Sequence, residues 1–240
     1  MNIDPEFTYK RISETYQLAL DEGYEIISCD QYFRSNKNKT AAKILVNRVD
    51  IDLSLKKTDR IVTLFNELNI KGTFFVRLHA KYNSFSFEGY RIIRRIIENG
   101  HELGYHAEPI DQAAIWKEDP AMCVRRDLEI INRMFNVNVK GIASHGGMTG
   151  LNNLDFWKKR KASDFGLHYE AYDQEPEFDL FNKSFYVSDS EWTRWKCYDK
   201  GVLVKDNRKT LAEHLKDGHP LLYVLIHPDT YFDEHIYEND

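Results

Sequence analysis

Ile92-Ile93-Arg94-Arg95-Ile96-Ile97-Glu98-Asn99-Gly100-His101-Glu102-Leu103-Gly104-Tyr105-His106-Ala107-Glu108 carries a helix into a strand. The first half has the apolar spacing of an amphipathic helix, and Gly100 ends it. The second half reads as a strand with His106 and Glu108 at its carboxyl end. Two residues apart on an extended chain, their side chains point to the same side. An imidazole and a carboxylate converging at a strand end in an α/β protein are what a metal or acid–base site needs. Taken alone, the pattern is also that of a loop histidine that merely hydrogen-bonds, so the other strand ends have to decide.

Upstream, Lys43-Ile44-Leu45-Val46-Asn47-Arg48-Val49 is a buried strand by its apolar run, and it leads into Asp50-Ile51-Asp52. Residues 57–69 form an amphipathic helix with Ile61, Leu64, Phe65 and Leu68 inward, and residues 72–77 form the next strand. This β-α-β unit makes the two strands parallel neighbours. Asp50 and Asp52 share one side of an extended segment. Placed close, two carboxylates repel unless a cation lies between them or one takes a proton. A turn capped by either aspartate is the plain alternative. Further along, residues 88–99 and 121–136 are helices, and the chain between them after Pro109 looks irregular. Residues 140–143 form a short strand ending in Ser144-His145-Gly146-Gly147. Residues 184–187 run into Ser188-Asp189-Ser190-Glu191-Trp192. Residues 211–216 are a short helix, and Leu221-Leu222-Tyr223-Val224-Leu225-Ile226 ends in His227-Pro228-Asp229. Ahead of all this, residues 8–22 form a helix capped by Thr8, residues 24–28 a strand, and residues 30–42 a polar surface loop. Asp50, Asp52, His106, Glu108, His145, Asp189 and His227 therefore all follow strands. A parallel barrel gathers such ends on one face, however distant they are in sequence.

Bulk properties exclude several classes of function. The 240 residues suit one large α/β domain, read here as a core of residues 43–231 with residues 1–42 as a helix–strand extension. With 42% apolar and 30% charged residues the chain is an ordinary globular protein. The net charge of -5 with interspersed signs gives no nucleic-acid or membrane footprint. No apolar run approaches the roughly 20 residues of a membrane span. Met1-Asn2-Ile3-Asp4-Pro5-Glu6 has no signal-peptide pattern, so a cytoplasmic location is expected. Cys29, Cys123 and Cys197 are odd in number and widely spaced, which reads as reduced core thiols.

Lys71-Gly72-Thr73-Phe74-Phe75-Val76 and Gly100-His101-Glu102-Leu103-Gly104-Tyr105-His106 resemble signatures of the polysaccharide deacetylase superfamily (carbohydrate esterase family 4, NodB-like). More narrowly, four segments resemble a branch found with surface-polysaccharide biosynthesis. They are Arg48-Val49-Asp50-Ile51-Asp52, residues 77–83, Ser188-Asp189-Ser190 and His227-Pro228. The resemblance covers residues 43–231. It implies a distorted (β/α) barrel of about seven parallel strands, a divalent metal, most often Zn2+, and hydrolysis of an N-acetyl group on a sugar. Two departures stand out. The superfamily's His-x-x-x-His places its first histidine at His106 and its second at Ile110, which cannot ligate. Its adjacent aspartates are here separated by Ile51. His145 is the first candidate to complete the metal shell and Glu108 the second.

The implied metal set is thus Asp52, His106 and His145. Asp50 is expected to act as general base, and His227, oriented by Asp189, as the acid for the leaving amine. Asp50 and Asp52 could exchange roles. Trp192 is read as a surface on which a sugar ring stacks, Arg77 as a partner for an acidic group, and Glu108 as a further substrate contact. The partner expected is an N-acylated saccharide. The competing readings are a non-catalytic barrel that binds a sugar or nucleotide-sugar, and a metal-dependent hydrolase of another C–N bond.

Overall fold

A computed structural model describes residues 6–35, 43–173, 175–235 and 237–238. Its elements run α1 (Tyr9–Asp21), β1 (Tyr24–Ile27), α2 (Cys29–Ser35), β2 (Lys43–Ile51), α3 (Leu55–Glu67), β3 (Thr73–Val76), α4 (Phe87–Glu98), β4 (Glu102–Ala107), α5 (Pro109–Trp116), α6 (Pro120–Phe135), β5 (Gly141–Ser144), β6 (Tyr169–Glu170), α7 (Leu180–Lys183), β7 (Phe185–Ser188), β8 (Lys196–Asp199), β9 (Val202–Leu203), α8 (Leu211–Lys216) and β10 (Leu221–Ile226). A 3₁₀ segment, Asn153–Lys159, links β5 towards β6.

Among the described residues, the strands lie in the order β6-β5-β4-β3-β2-β10-β7, all parallel, with the antiparallel pair β8 and β9 continuing beyond β7. This is the distorted (β/α) barrel with seven parallel strands around its wall. β1 and β3 share one edge of β2: β1 pairs with residues 43–46 and β3 with residues 48–51. The pleat of β2 shows how the wall is made. Ile44 and Val46 pack inward with Phe75, Tyr169, Tyr186 and Tyr223. Leu45, Val49 and Ile51 face outward against Ile61, Phe65, Ile92 and Ile96 of the surrounding helices. With a side-chain period of two, Arg48 and Asp50 continue the inner row.

No ladder joins β6 to β7 among the described residues. Side chains bridge that seam. The hydroxyls of Tyr172 and Tyr186 lie 3.2 Å apart, and the Tyr223 hydroxyl donates across the interior to the Ala171 carbonyl at 3.2 Å. Gly104 and Gly141 let the inner rings in: a Cβ at Gly104 would stand 2.3 Å from the Phe75 ring, and one at Gly141 2.1 Å from Tyr169.

Two expectations are corrected. Residues 30–35, expected to lie in a polar surface loop, fall instead in α2 (Cys29–Ser35), held by Arg34–Asp30 and His168–Asp30 pairs; residues 36–42 of the expected loop lie outside the described ones. The stretch after Pro109 is helical: Pro109 stands in the first turn of α5, where a missing N–H costs nothing. None of the described helices is long and apolar enough to cross a membrane.

Candidate metal and catalytic centre

The inner row of each strand determines what stands at the barrel mouth. β2 ends in Asp50 and Asp52, β4 in His106 and Glu108, β5 in His145, β7 in Asp189 and β10 in His227. Asp52 is the hub. Its Oδ1 is 3.2 Å from His106 Nε2, and its Oδ2 is 3.9 Å from both His145 Nε2 and His227 Nε2. One ligand atom each from Asp52, His106 and His145 lies within 4.8 Å of the others. The His106 and His145 rings stand edge to face, centroids 5.1 Å apart.

The hydrogen-bond pattern around His106 tests whether a cation fits. Its Nδ1 lies 3.0 Å from the Ala143 carbonyl, a contact that only an N–H can satisfy. In neutral imidazole the Nε2 lone pair then faces two carboxylate oxygens, Asp52 Oδ1 and Asp50 Oδ2 at 3.3 Å. Positive charge is required there, as a proton or a metal ion. Asp52 Oδ1 is buried and makes no hydrogen bond. An acceptor so placed, beside two imidazole nitrogens, fits a divalent ion of the zinc class, as does the backbone-carbonyl brace behind His106. Without the ion, the protein compensates electrostatically. Burial opposes charge on His106, and Asp50 and Asp52 override it, so its pKa is raised; the same imidazole pulls Asp52 far below the usual carboxylate range.

His145, the residue expected to stand in for the histidine missing at position 110, is placed beside His106. Its Nδ1 lies 3.1 Å from Glu108 Oε1, the carboxylate–imidazole arrangement that orients a metal-binding ring. Glu108 is in turn held by Arg77 at 2.8 Å, and Arg77 also reaches the Asp52 carbonyl at 3.3 Å. Arg77 and Glu108 were expected to face substrate. Both are buried and engage each other instead, because an uncompensated charge at that depth is costly. Ile110 is half-buried, and its N–H donates to Asn153 Oδ1.

Asp50 is held at both oxygens by the fully buried Arg48, at 2.8 and 2.7 Å. Burial pushes its pKa up, but the Arg48 and His106 charges prevail and keep it ionised. Arg48 itself lies under the faces of Tyr172 and Phe75, 4.7 and 5.4 Å from their centroids. On the other side of Asp52, Asp189 takes the His227 Nδ1–H at 2.5 Å and the His227 backbone N–H at 2.8 Å. Burial lowers the His227 pKa, but the Asp189 carboxylate outweighs it and holds the ring at about 9. Trp192 is exposed on the bend after β7, with a backbone φ of 62° and its N–H bonded to Asp189.

The sequence reading missed several groups. Arg48 was quoted only as motif context, yet a charge two residues before Asp50 on the same pleat was a visible signal. Asp111 was passed over because it sits in the unpredicted α5. It accepts from the N–H groups of Met148 and Thr149, the Thr149 hydroxyl and Asn153, so it anchors the loop after His145. A cavity of about 720 Å³ is lined by residues that include Trp157, Glu170, Tyr172, Ser190, Lys196 and Tyr198, of which Ser190 follows Asp189 in sequence. Trp157 donates to the Ser144 hydroxyl, one residue from His145.

No family model and no curated protein matches the chain. Solved structures to which it is similar include the Streptococcus pyogenes deacetylase PplD in complex with acetate, at 16% identity and TM-score 0.47, covering 67% of this chain and 70% of that one. Another is the catalytic domain of a peptidoglycan N-acetylglucosamine deacetylase from Eubacterium rectale, at 16% identity and TM-score 0.47, covering 78% and 76%. A third is the chitin deacetylase of the fungal pathogen Colletotrichum lindemuthianum, at 16% identity and TM-score 0.45, covering 77% of this chain and 73% of that one.

Proposed function

We propose that the protein is a metal-dependent hydrolase that removes an acetyl or similar acyl group from the nitrogen of a sugar or sugar precursor. One observation carries this reading: an Asp52 oxygen without a hydrogen bond and two imidazole nitrogens converge between Asp50, clamped by Arg48, and the Asp189–His227 pair. Asp52, His106 and His145 would hold the ion, with zinc the preferred identity. When bound, such an ion supplies a Lewis acid for the amide carbonyl and lowers the pKa of water. Asp50 accepts the proton of the attacking water, with Arg48 fixing its orientation. His227 gives its Nε2 proton to the departing amine, and Asp189 keeps Nδ1–H in place so that Nε2 is the atom turned to substrate.

The cavity next to Ser190 is compatible with a saccharide as substrate. Its lining combines the aromatic residues Trp157, Tyr172 and Tyr198 with the polar Ser190 and Lys196, and its volume falls in the usual range for small ligands, roughly 300–1,000 Å³. The branch resemblance at residues 48–52, 77–83, 188–190 and 227–228 supports an N-acylated sugar of surface-polysaccharide biosynthesis. The test is elemental analysis of the purified protein together with acetate release from a panel of N-acetylated sugars and nucleotide-sugars. One equivalent of tightly held divalent ion, assigned to this centre by its loss relative to wild type in His106→Ala and His145→Ala together with turnover, is expected. Saccharide binding that is indifferent to chelators and free of any acyl release would establish the binding-only alternative.

A further inference from the structure

We propose that His214, Asp217 and His219 form a second divalent-metal site, of the zinc class, at the opposite end of the barrel. The candidate catalytic centre stands at the carboxyl ends of the parallel strands. His214 and Asp217 close α8, and His219 lies two residues before Leu221, the first residue of β10. A six-residue strand spans about 20 Å, so the two places are well separated.

Asn207 is fixed by its Nδ2 group, which donates to the Trp195 carbonyl at 3.3 Å, the Lys209 carbonyl at 3.3 Å and Cys197 Sγ at 3.1 Å. Its Oδ1 therefore faces His214 Nε2, 3.2 Å away, and can only accept. His214 Nε2 carries the proton, and its Nδ1 is left with a lone pair. That Nδ1 is buried and makes no hydrogen bond, on a residue only 3% exposed. It lies 3.6 Å from Asp217 Oδ2, too far for a hydrogen bond and close enough to share a cation. His219 Nε2 is likewise buried without a hydrogen bond, 3.9 Å from the same oxygen.

Phe185 packs against both rings, stacked on His219 and tilted to His214. His219 lies over it at 4.0 Å between centroids, and His214 approaches at 4.7 Å. The three donor atoms lie within 4.8 Å of one another. Tetrahedral zinc with bonds near 2.0–2.2 Å needs donors about 3.4 Å apart. A small inward closure of Asp217 and His219, the less buried members, achieves this. Lys209 Nζ, 2.7 and 2.9 Å from the two Asp217 oxygens, supplies the positive charge without metal and competes with it. Two imidazoles and a carboxylate leave a fourth position to water, and the ion would tie α8 to the start of β10.

This site does not depend on the first, and the test separates them. The His106→Ala/His145→Ala protein is titrated with Zn2+ against a chromophoric chelator, with folding checked by circular dichroism. It should bind one equivalent. Adding Asp217→Asn or His219→Ala should weaken that binding more than tenfold, and Lys209→Ala should tighten it. No stoichiometric zinc in the folded double variant, or binding indifferent to Asp217→Asn and His219→Ala, overturns the proposal. If the double variant does not fold, Asp217→Asn in the wild-type chain must lower zinc stoichiometry by one equivalent, and an unchanged stoichiometry overturns it equally.

Discussion

At the scale of single residues, the centre works by separating the states of similar groups. Asp50 and Asp52 are two positions apart on one inner row, yet Arg48 donates one hydrogen bond to each oxygen of the first, leaving a lone pair on each, while one oxygen of the second makes no hydrogen bond. That asymmetry supports Asp50 as base and Asp52 as ligand, which their spacing alone left open. The imidazoles divide similarly. His106 is braced by a carbonyl, leaving Nε2 as a donor of electrons, whereas His227 is braced by Asp189 and retains a proton to give. A clean probe of the acid role must not leave Asp189 buried and unpaired, which costs about 3–5 kcal/mol. His227→Asn keeps an N–H near the Nδ1 position and has no dissociable proton. It should lower kcat on an N-acetyl sugar by about 10²–10⁴-fold with metal content unchanged. Steady-state kinetics beside elemental analysis would decide; undiminished kcat in a metal-loaded His227→Asn protein removes His227 from the chemistry.

At the scale of elements, the question is how His145 is held, since it comes from a loop with Gly146 and Gly147 behind it. α5 provides the anchor. Asp111 takes four hydrogen bonds, three of them from Met148 and Thr149 and one from Asn153, while Asn153 also bonds the His145 carbonyl. Asp111→Ala should therefore weaken metal binding about 10–100-fold, the usual effect of removing a group that orients a ligand. Chelator competition measures it, and circular dichroism confirms the fold; unaltered affinity would show that Glu108 alone suffices to aim the ring. The same helix shows what sequence could and could not reveal. The long elements were legible because burial and periodicity agree: β10 is apolar throughout, and α4 puts Ile92, Ile93 and Ile96 on one face. α5 reverses the rule, burying Asp111 and Gln112 while Ile115 and Trp116 stay exposed, so its pattern carries no apolar stripe. The β8–β9 hairpin did leave a signal. Lys200 and Gly201 both take positive φ, 47° and 78°, as a tight two-residue turn demands, and Gly201 between short strands was readable. For the site, strand-end residues were legible because a pleat alternates predictably. The burial of Arg77 against Glu108 was not, since no local pattern tells whether an arginine at a strand end faces the mouth or its neighbour.

At the scale of the whole molecule, the seam between β6 and β7 is where the barrel depends on side chains, and Glu170 stands there. It is buried, and its carboxylate takes the Ser144 N–H at 3.1 Å and the Tyr172 N–H at 2.7 Å. Burial dominates and pushes its pKa up to about 7, while the Tyr172 N–H, the Arg48 charge and Ser144 pull the other way without prevailing. The folded state thus holds this proton more tightly than the unfolded chain, where a glutamate titrates near its ordinary value of 4.5. A carboxyl raised in this way contributes stability that is complete below its unfolded pKa. That contribution is lost as pH climbs through the folded one, which here defines a window from about 4.5 to about 7. Other groups titrate in the same range, so the difference between proteins is the informative quantity. Glu170→Gln keeps one acceptor oxygen and removes the ionisation. Relative to wild type it should gain stability between about pH 4.5 and about pH 7, most steeply midway through that window, and the gain should level off above it. Urea midpoints of both proteins at several pH values measure this. A pH-independent gap between the two curves would mean that Glu170 ionises as easily in the folded barrel as in the open chain, and that the seam is wetter than its packing indicates.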